Sequence, residues 1–171
     1  MNRTPVLCLL AGALAVVLAL LAEGCSSPSG PDPVGRLVAR TDCKSFGAPG
    51  AAAASPSSRE CVEYDYDGRG RLKLKHVNAG FNCCPGTISA TVEVSNGDIL
   101  IKERESSSLC DCDCLYDVDY EIAGLAGGTW RISVIGPYQP DGDPPLEFLV
   151  DLSQASSGSY CVERTRYPWG S

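Results

Sequence analysis

The sequence predicts an all-β protein, an antiparallel sandwich of about eight strands stapled by disulfides. Three observations lead there. From residue 60 onward apolar and polar residues alternate with period two, the pattern of half-buried strands. The 171 residues include 18 Gly and 12 Pro, which suits frequent turns and argues against a helical bundle. The chain also carries ten Cys, and dense cysteine use in a small domain points to cross-linking in an oxidising compartment.

The elements can be justified in order. Val62, Tyr64 and Tyr66 share one face, and Asp67-Gly68-Arg69-Gly70 supplies a turn. Leu72, Leu74 and His76 then point inward while Arg71, Lys73 and Lys75 point out. Ile88, Ala90, Val92 and Val94 form the inner face of the next strand, and Asn96-Gly97 follows. Both of those residues tolerate the positive φ of a type I′ hairpin, and pairing across them sets Val94 opposite Ile99 and Val92 opposite Ile101. Trp130, Ile132 and Val134 come after Gly127-Gly128. Leu146, Phe148, Val150 and Leu152 make another run, and Tyr160 and Val162 the last. The stretch Ile122-Ala123-Gly124-Leu125-Ala126-Gly127-Gly128-Thr129-Trp130-Arg131-Ile132 resembles the turn and following strand of immunoglobulin-like extracellular modules. That resemblance implies an immunoglobulin-like form of the sandwich.

Residues 110–122 form the most informative segment. In an extended strand Cys110, Cys112, Cys114, Tyr116, Val118, Tyr120 and Ile122 share one face, while Asp111, Asp113, Asp117, Asp119 and Glu121 occupy the other. Thirteen residues exceed the usual strand of about five or six, so a bend or bulge is expected near Cys114. The acidic face reads as solvated, or as a face for cations or a basic partner. It could equally lie beside the Arg71, Lys73 and Lys75 stripe, where opposite charges on neighbouring strands contribute about 0.2–1 kcal/mol per pair.

The N-terminus carries an address. Arg3 precedes an uncharged run over residues 6–22, then Ala22-Glu23-Gly24-Cys25 and the polar Ser26-Ser27-Pro28-Ser29-Gly30-Pro31. This is similar to a bacterial lipoprotein signal with its lipobox at residues 22–25. The resemblance implies that Cys25 becomes an acylated mature N-terminus bearing a chain such as palmitate, and that the protein is tethered to the cell envelope. Ser26 in place of Asp favours the outer membrane. The expected organisation is a signal over 1–24, a flexible tether over 25–42 and a disulfide-rich domain over 43–171. Residues 48–58, small and low in complexity, read as a surface loop.

Cys8 falls in the signal and Cys25 takes the lipid, so Cys43, Cys61, Cys83, Cys84, Cys110, Cys112, Cys114 and Cys161 remain. An even count in an exported domain reads as a disulfide framework. Vicinal Cys83 and Cys84 are expected to reach toward Cys110, Cys112 or Cys114, while Cys61 and Cys161 staple edges or loops. The sharper alternative is a thiolate metal site built from Cys83, Cys84 and two of the later cysteines. The chain lacks the C-x-x-C knuckles of structural zinc sites, so no metal or other cofactor is expected.

Other candidates have plain readings beside sharp ones. Asp65-Tyr66-Asp67-Gly68-Arg69-Gly70 and Asp141-Gly142-Asp143 are turns before they are calcium loops. His76, the single histidine, reads as a satisfied core residue. Tyr138, Tyr160, Tyr167, Pro168 and Trp169 either present aromatics for sugar or protein contacts or cover the open end of the sandwich. No G-x-S-x-G, H-E-x-x-H or phosphate-cradling loop is present, so the expectation is not an enzyme. With 14 basic against 21 acidic residues and a net charge of −7, a nucleic-acid partner is not expected. The function predicted is a non-catalytic binding or structural role in the envelope, anchored to the membrane by lipid, with an envelope protein or a glycan as partner. Alternatives are a metal-binding envelope protein using clustered cysteines or acidic residues, and a disulfide-rich inhibitor of a partner enzyme presenting residues 136–145.

Overall fold

The computed structural model describes residues 32–44, 57–107, 109–139 and 141–169. The signal, Cys8, Cys25 and residues 45–56 lie outside the described residues. Among these residues nine strands are present: β1 (Val34–Arg40), β2 (Arg59–Tyr66), β3 (Arg71–Asn82), β4 (Ile88–Ser95), β5 (Asp98–Glu105), β6 (Asp113–Ala123), β7 (Thr129–Ile135), β8 (Leu146–Asp151) and β9 (Ser157–Glu163). They form an antiparallel sheet in the order β1-β6-β3-β2-β9 and a second sheet in the order β4-β5-β7-β8. Val62, Leu72, Leu74, Val118, Tyr120 and Ile122 from the first sheet meet Ile99, Ile101, Ile132, Val134, Leu146 and Val150 from the second in a common core. The β-sandwich expected from period-two alternation is therefore the fold.

The hairpin signal holds in detail. Asn96 and Gly97 have φ of 51° and 85°, and Val94 pairs with Ile99 and Val92 with Ile101. One pairing departs from an all-antiparallel sandwich: β5 and β7 run parallel. Between them the chain crosses to the other sheet as β6, which supplies the long crossover that parallel neighbours require.

Two boundaries differ from the sequence reading. Residues 34–40, read as part of the tether, form edge strand β1 and pair with β6. Their apolar alternation is short, and it is masked by flanking Pro and Gly and by the exposure of Val34 and Val38. Gly35 lets this strand close against the opposite sheet, since a Cβ there would lie 2.2 Å from Val92 Cγ1. At the other side of the sandwich Phe148 stacks on Tyr160, with ring centroids 5.0 Å apart.

The expected cysteine strand is also shorter than residues 110–122, because β6 begins at Asp113 and leaves Cys110 and Cys112 before it. Asn82 explains the boundary. Its side-chain amide donates to the carbonyls of Cys110 (2.6 Å) and Cys112 (2.8 Å), and its Oδ1 accepts from the backbone N–H of Cys84 and Cys110. These backbone groups are thereby bound by a side chain and are not spent on a strand ladder. The expected bend near Cys114 appears instead across the ladder, in β3, where the register shifts between Val77 and Ala79. Asn78 sits in that bulge at φ 63°. The bulge reverses the phase of β3, so that Leu72, Leu74 and His76 point inward before it and Ala79 and Phe81 after it.

Ile122 illustrates the energetic weight of this core. It is fully buried and pairs with both β1 and β3. Ile122→Ala is expected to cost about 2–5 kcal/mol, read as a lowered urea midpoint with the slope unchanged and the disulfides intact.

Candidate functional site

The eight domain cysteines form four disulfides: Cys43–Cys114, Cys61–Cys161, Cys83–Cys112 and Cys84–Cys110. Cys83 and Cys84 do reach toward the later cluster. Cys61 and Cys161 face each other directly across β2 and edge strand β9. The other three bridges gather at one end of the five-stranded sheet, where β1 and β3 finish and β6 begins. No domain thiol is left for a thiolate metal site, and the described residues contain no His, Cys, Asp and Glu group arranged to hold a metal.

The acidic stripe of β6 lies beside the basic stripe of β3, as one of the sequence readings allowed. Lys73 pairs in register with Glu121 and Lys75 with Asp119. Arg71 and Glu121 make an ion pair, Lys75 reaches Asp119 at 3.4 Å, Arg36 reaches Glu121 at 3.8 Å, and Lys44 contacts Asp117. Asp117, Asp119 and Glu121 of the acidic face are thus each paired with a basic side chain. Beside these pairs an open groove of about 470 Å³ runs over the outer face, lined by Glu63, Tyr64, Asp65, Lys73, Lys75 and Ser159 among others. A second open groove, of about 480 Å³, lies over the four-stranded sheet and includes Glu93, Leu100, Arg131, Ser133, Ile135 and Glu147. Both set charged groups of either sign and hydroxyls beside apolar atoms.

Turn chemistry accounts for the acidic loops. Asp67 Oδ1 accepts from the backbone N–H of Arg69 (2.7 Å) and of Arg71 (3.0 Å). Those bonds, Arg71 first, hold its carboxyl below the ordinary range. Asp143 faces Arg164 at 3.8 Å, and the Pro144 carbonyl accepts from the same guanidinium. Tyr138, read as a loop aromatic, donates to Glu105. Tyr138, Asp143 and Pro144 are therefore tied into the domain. The aromatic tail packs on the domain. Trp169, 2% exposed, lies against the β3 backbone at Gly80, where a Cβ would come within 2.6 Å of its ring. Its Nε1 donates to the Asn78 carbonyl at 2.8 Å. Tyr167 keeps an exposed ring, and its hydroxyl meets the backbone N–H and carbonyl of Asp113.

The least anticipated feature is a set of charges inside the sandwich. His76 is buried, with Nδ1 2.8 Å from Glu103 Oε1 and Nε2 2.8 Å from Glu60 Oε1. Glu60 Oε2 also receives Arg164 through Nε and Nη2, each at 2.5 Å, and the Tyr120 hydroxyl donates to Glu103 at 2.5 Å. Glu103 Oε2 is buried without a hydrogen-bond partner among the described residues. Burial by itself would lower the histidine pKa, but Glu103 and then Glu60 outweigh it and raise it to about 10. For Glu60 burial works upward, yet His76 and Arg164 prevail and hold its carboxyl below the ordinary range. Burial and the neighbouring Glu103 push the Tyr120 phenol upward. Two carboxylates and two cations thus balance in a space closed to water, and both ring nitrogens of the single histidine are engaged.

Sequence reasoning placed His76 on the core face but missed its partners. A signal for them existed. Glu60 is in phase with Val62, Tyr64 and Tyr66, and Glu103 with Ile99 and Ile101, so two acids stand where strand alternation calls for core residues. Arg164, one residue beyond β9, carries no such mark.

Comparison of the chain with protein-family models, curated proteins and solved structures finds no match. The functional reading rests on the residues and geometry above.

The charge network fixes how stability depends on pH. A histidine raised from 6.5 to about 10 contributes stability that is complete below about 6.5 and is lost as pH rises toward 10. Glu60, lowered from 4.5, contributes above about 4.5 and loses its contribution as pH falls through its folded value. Urea titrations of the disulfide-intact protein should therefore show stability falling between pH 6.5 and 10, and His76→Gln should remove that slope. Arg164→Ala leaves two buried carboxylates, Glu60 and Glu103, against the single His76 cation and is expected to cost about 3–5 kcal/mol, read in the same titrations at pH 6.

Proposed function

We propose that this protein is a lipid-anchored component of the bacterial envelope with a non-catalytic binding role, its partner an envelope protein or a glycan. The observation that carries the reading is the complete pairing of eight domain cysteines in a chain whose residues 22–25 are similar to a lipobox. Such a framework is maintained outside the reducing cytoplasm, where a lipobox would deliver it. A non-catalytic role is supported by the burial of His76 and the engagement of both its ring nitrogens by carboxylates. The open grooves over the two outer sheet faces, which set charged and hydroxyl groups beside apolar surface, are where a glycan or protein would be held. The metal-binding alternative loses its thiolates to disulfides, and Asp119 and Glu121 of its acidic stripe are engaged in ion pairs. The inhibitor alternative draws on residues 136–145, of which Tyr138 and Pro144 are held to the body of the domain by Glu105 and Arg164.

The test is anchoring. Protein exported by a bacterial host should carry fatty acyl chains on Cys25 and partition with membranes. Cys25→Ser should release it into the soluble fraction, with the eight domain cysteines still resisting alkylation until reduced. Wild-type protein without an acyl chain, or a hydrolytic activity lost in His76→Gln, would overturn the reading.

A further inference from the structure

Asn78 occupies the β3 bulge with φ 63° and is 0% exposed. Glycine would meet that backbone without steric cost, so what asparagine adds there is a carboxamide. The Lys44 Nζ lies 2.7 Å from Asn78 Oδ1 and also contacts Asp117 Oδ1. The side chains of Lys44 and Asp117 are only 15% and 19% exposed.

All three residues are fixed from behind. The Lys44 N–H donates to the Leu115 carbonyl at 2.9 Å, and its neighbour Cys43 is bridged to Cys114. The Asn78 N–H donates to Asp117 Oδ1 at 3.1 Å, its Nδ2 donates to the Arg59 carbonyl at 2.6 Å, and its own carbonyl accepts from Trp169. The Asp117 N–H donates to Thr41 Oγ1 at 2.9 Å. An amine, a carboxamide and a carboxylate are thus held together by separate chain segments. Such placement replaces a bimolecular encounter by a unimolecular step.

We propose that Lys44 and Asn78 join in an intramolecular isopeptide bond, with Asp117 carrying the protons. The Asp117 carboxylate takes one proton from the Lys44 ammonium, and the freed Nζ lone pair attacks Asn78 Cγ. The Nζ–Cγ bond forms, a second Nζ proton passes by way of the same carboxylate to Nδ2, and the Cγ–Nδ2 bond breaks. Ammonia departs and leaves as ammonium with the first proton. An ammonium and a carboxamide enter, a secondary amide and an ammonium ion leave, and the balance needs no oxidant or reductant. The bond would weld the segment after β1 to the middle of β3, beside the Cys43–Cys114 bridge.

The experiment is a peptide map of the full exported chain after reduction, alkylation and proteolysis, with the mass of each peptide compared with its sequence. The expected result is one branched peptide joining Lys44 to Asn78, lighter than the two separate peptides by one ammonia. Lys44→Arg keeps the charge beside Asp117 and should yield separate peptides of full mass. Asp117→Ala should do the same, with unreactive domain cysteines reporting that the variant is folded. Separate peptides of full mass from wild-type protein overturn the proposal and leave an ordinary ion pair. So does a branched peptide lighter by one water, which would place the bond on Asp117, or an ammonia loss that persists in Lys44→Arg, which would place the chemistry within Asn78 alone.

Discussion

Charge balance in the interior is the constraint on which this sandwich depends. Glu60 comes from β2, His76 from β3, Tyr120 from β6 and Glu103 from β5, while Arg164 follows β9. Four of these positions belong to or adjoin the five-stranded sheet, and Glu103 belongs to the other. A buried charge left alone is far more costly than a buried apolar group, whereas a neutralised and hydrogen-bonded set is tolerated. The two sheets therefore have little freedom to slide. Any shift in their relative register would separate Glu103 from His76 and strand a carboxylate in the core. Apolar packing alone would permit more than one register. The ionic set penalises the alternatives, and that is a contribution to specificity beside whatever it adds to stability.

The ends of the sandwich are held differently. Around the three gathered disulfides, backbone groups are tied by Asn82, which binds Cys84, Cys110 and Cys112 through one side chain. The Tyr116 hydroxyl donates to the Asn82 carbonyl at 3.1 Å, and the Asn82 N–H donates to Glu105. Covalent bridges limit the unfolded chain, but they do not choose the conformation of the loops between them. Here a buried asparagine does that work, with donors and acceptors on both sides of its amide plane.

Much of the architecture was legible because strand periodicity is a strong local signal. Val92, Val94, Ile99 and Ile101 declare both their strands and their register around Asn96-Gly97. Tyr116, Val118, Tyr120 and Ile122 likewise declare the inner face of β6. What escaped is non-local. β1 is too exposed to stand out from its Pro- and Gly-rich surroundings, and only pairing with β6 reveals it. The bulge at Asn78 reverses the phase of β3, and alternation read in a straight line cannot anticipate a left-handed residue. Arg164 enters the core from beyond the last strand because Glu60 is there to receive it, a dependence spanning 104 positions. The cysteine pattern lay between these cases. Direction was readable from facing positions, but pairing depended on where Asn82 ended the β6 ladder.

The placement of Cys43 also gives the domain a mechanical character. β1 lies at the edge of its sheet and runs antiparallel to β6, and the bridge to Cys114 follows just after it. A pull applied at Asp32 would load the β1–β6 hydrogen bonds, and the strand could peel away as far as Cys43. There the load would pass through a covalent link into the first residues of β6, which is paired on its other side with the long strand β3. β1 would then serve as a short fuse, extending under tension and re-forming when released, while the grooves beyond the bridge kept their shape.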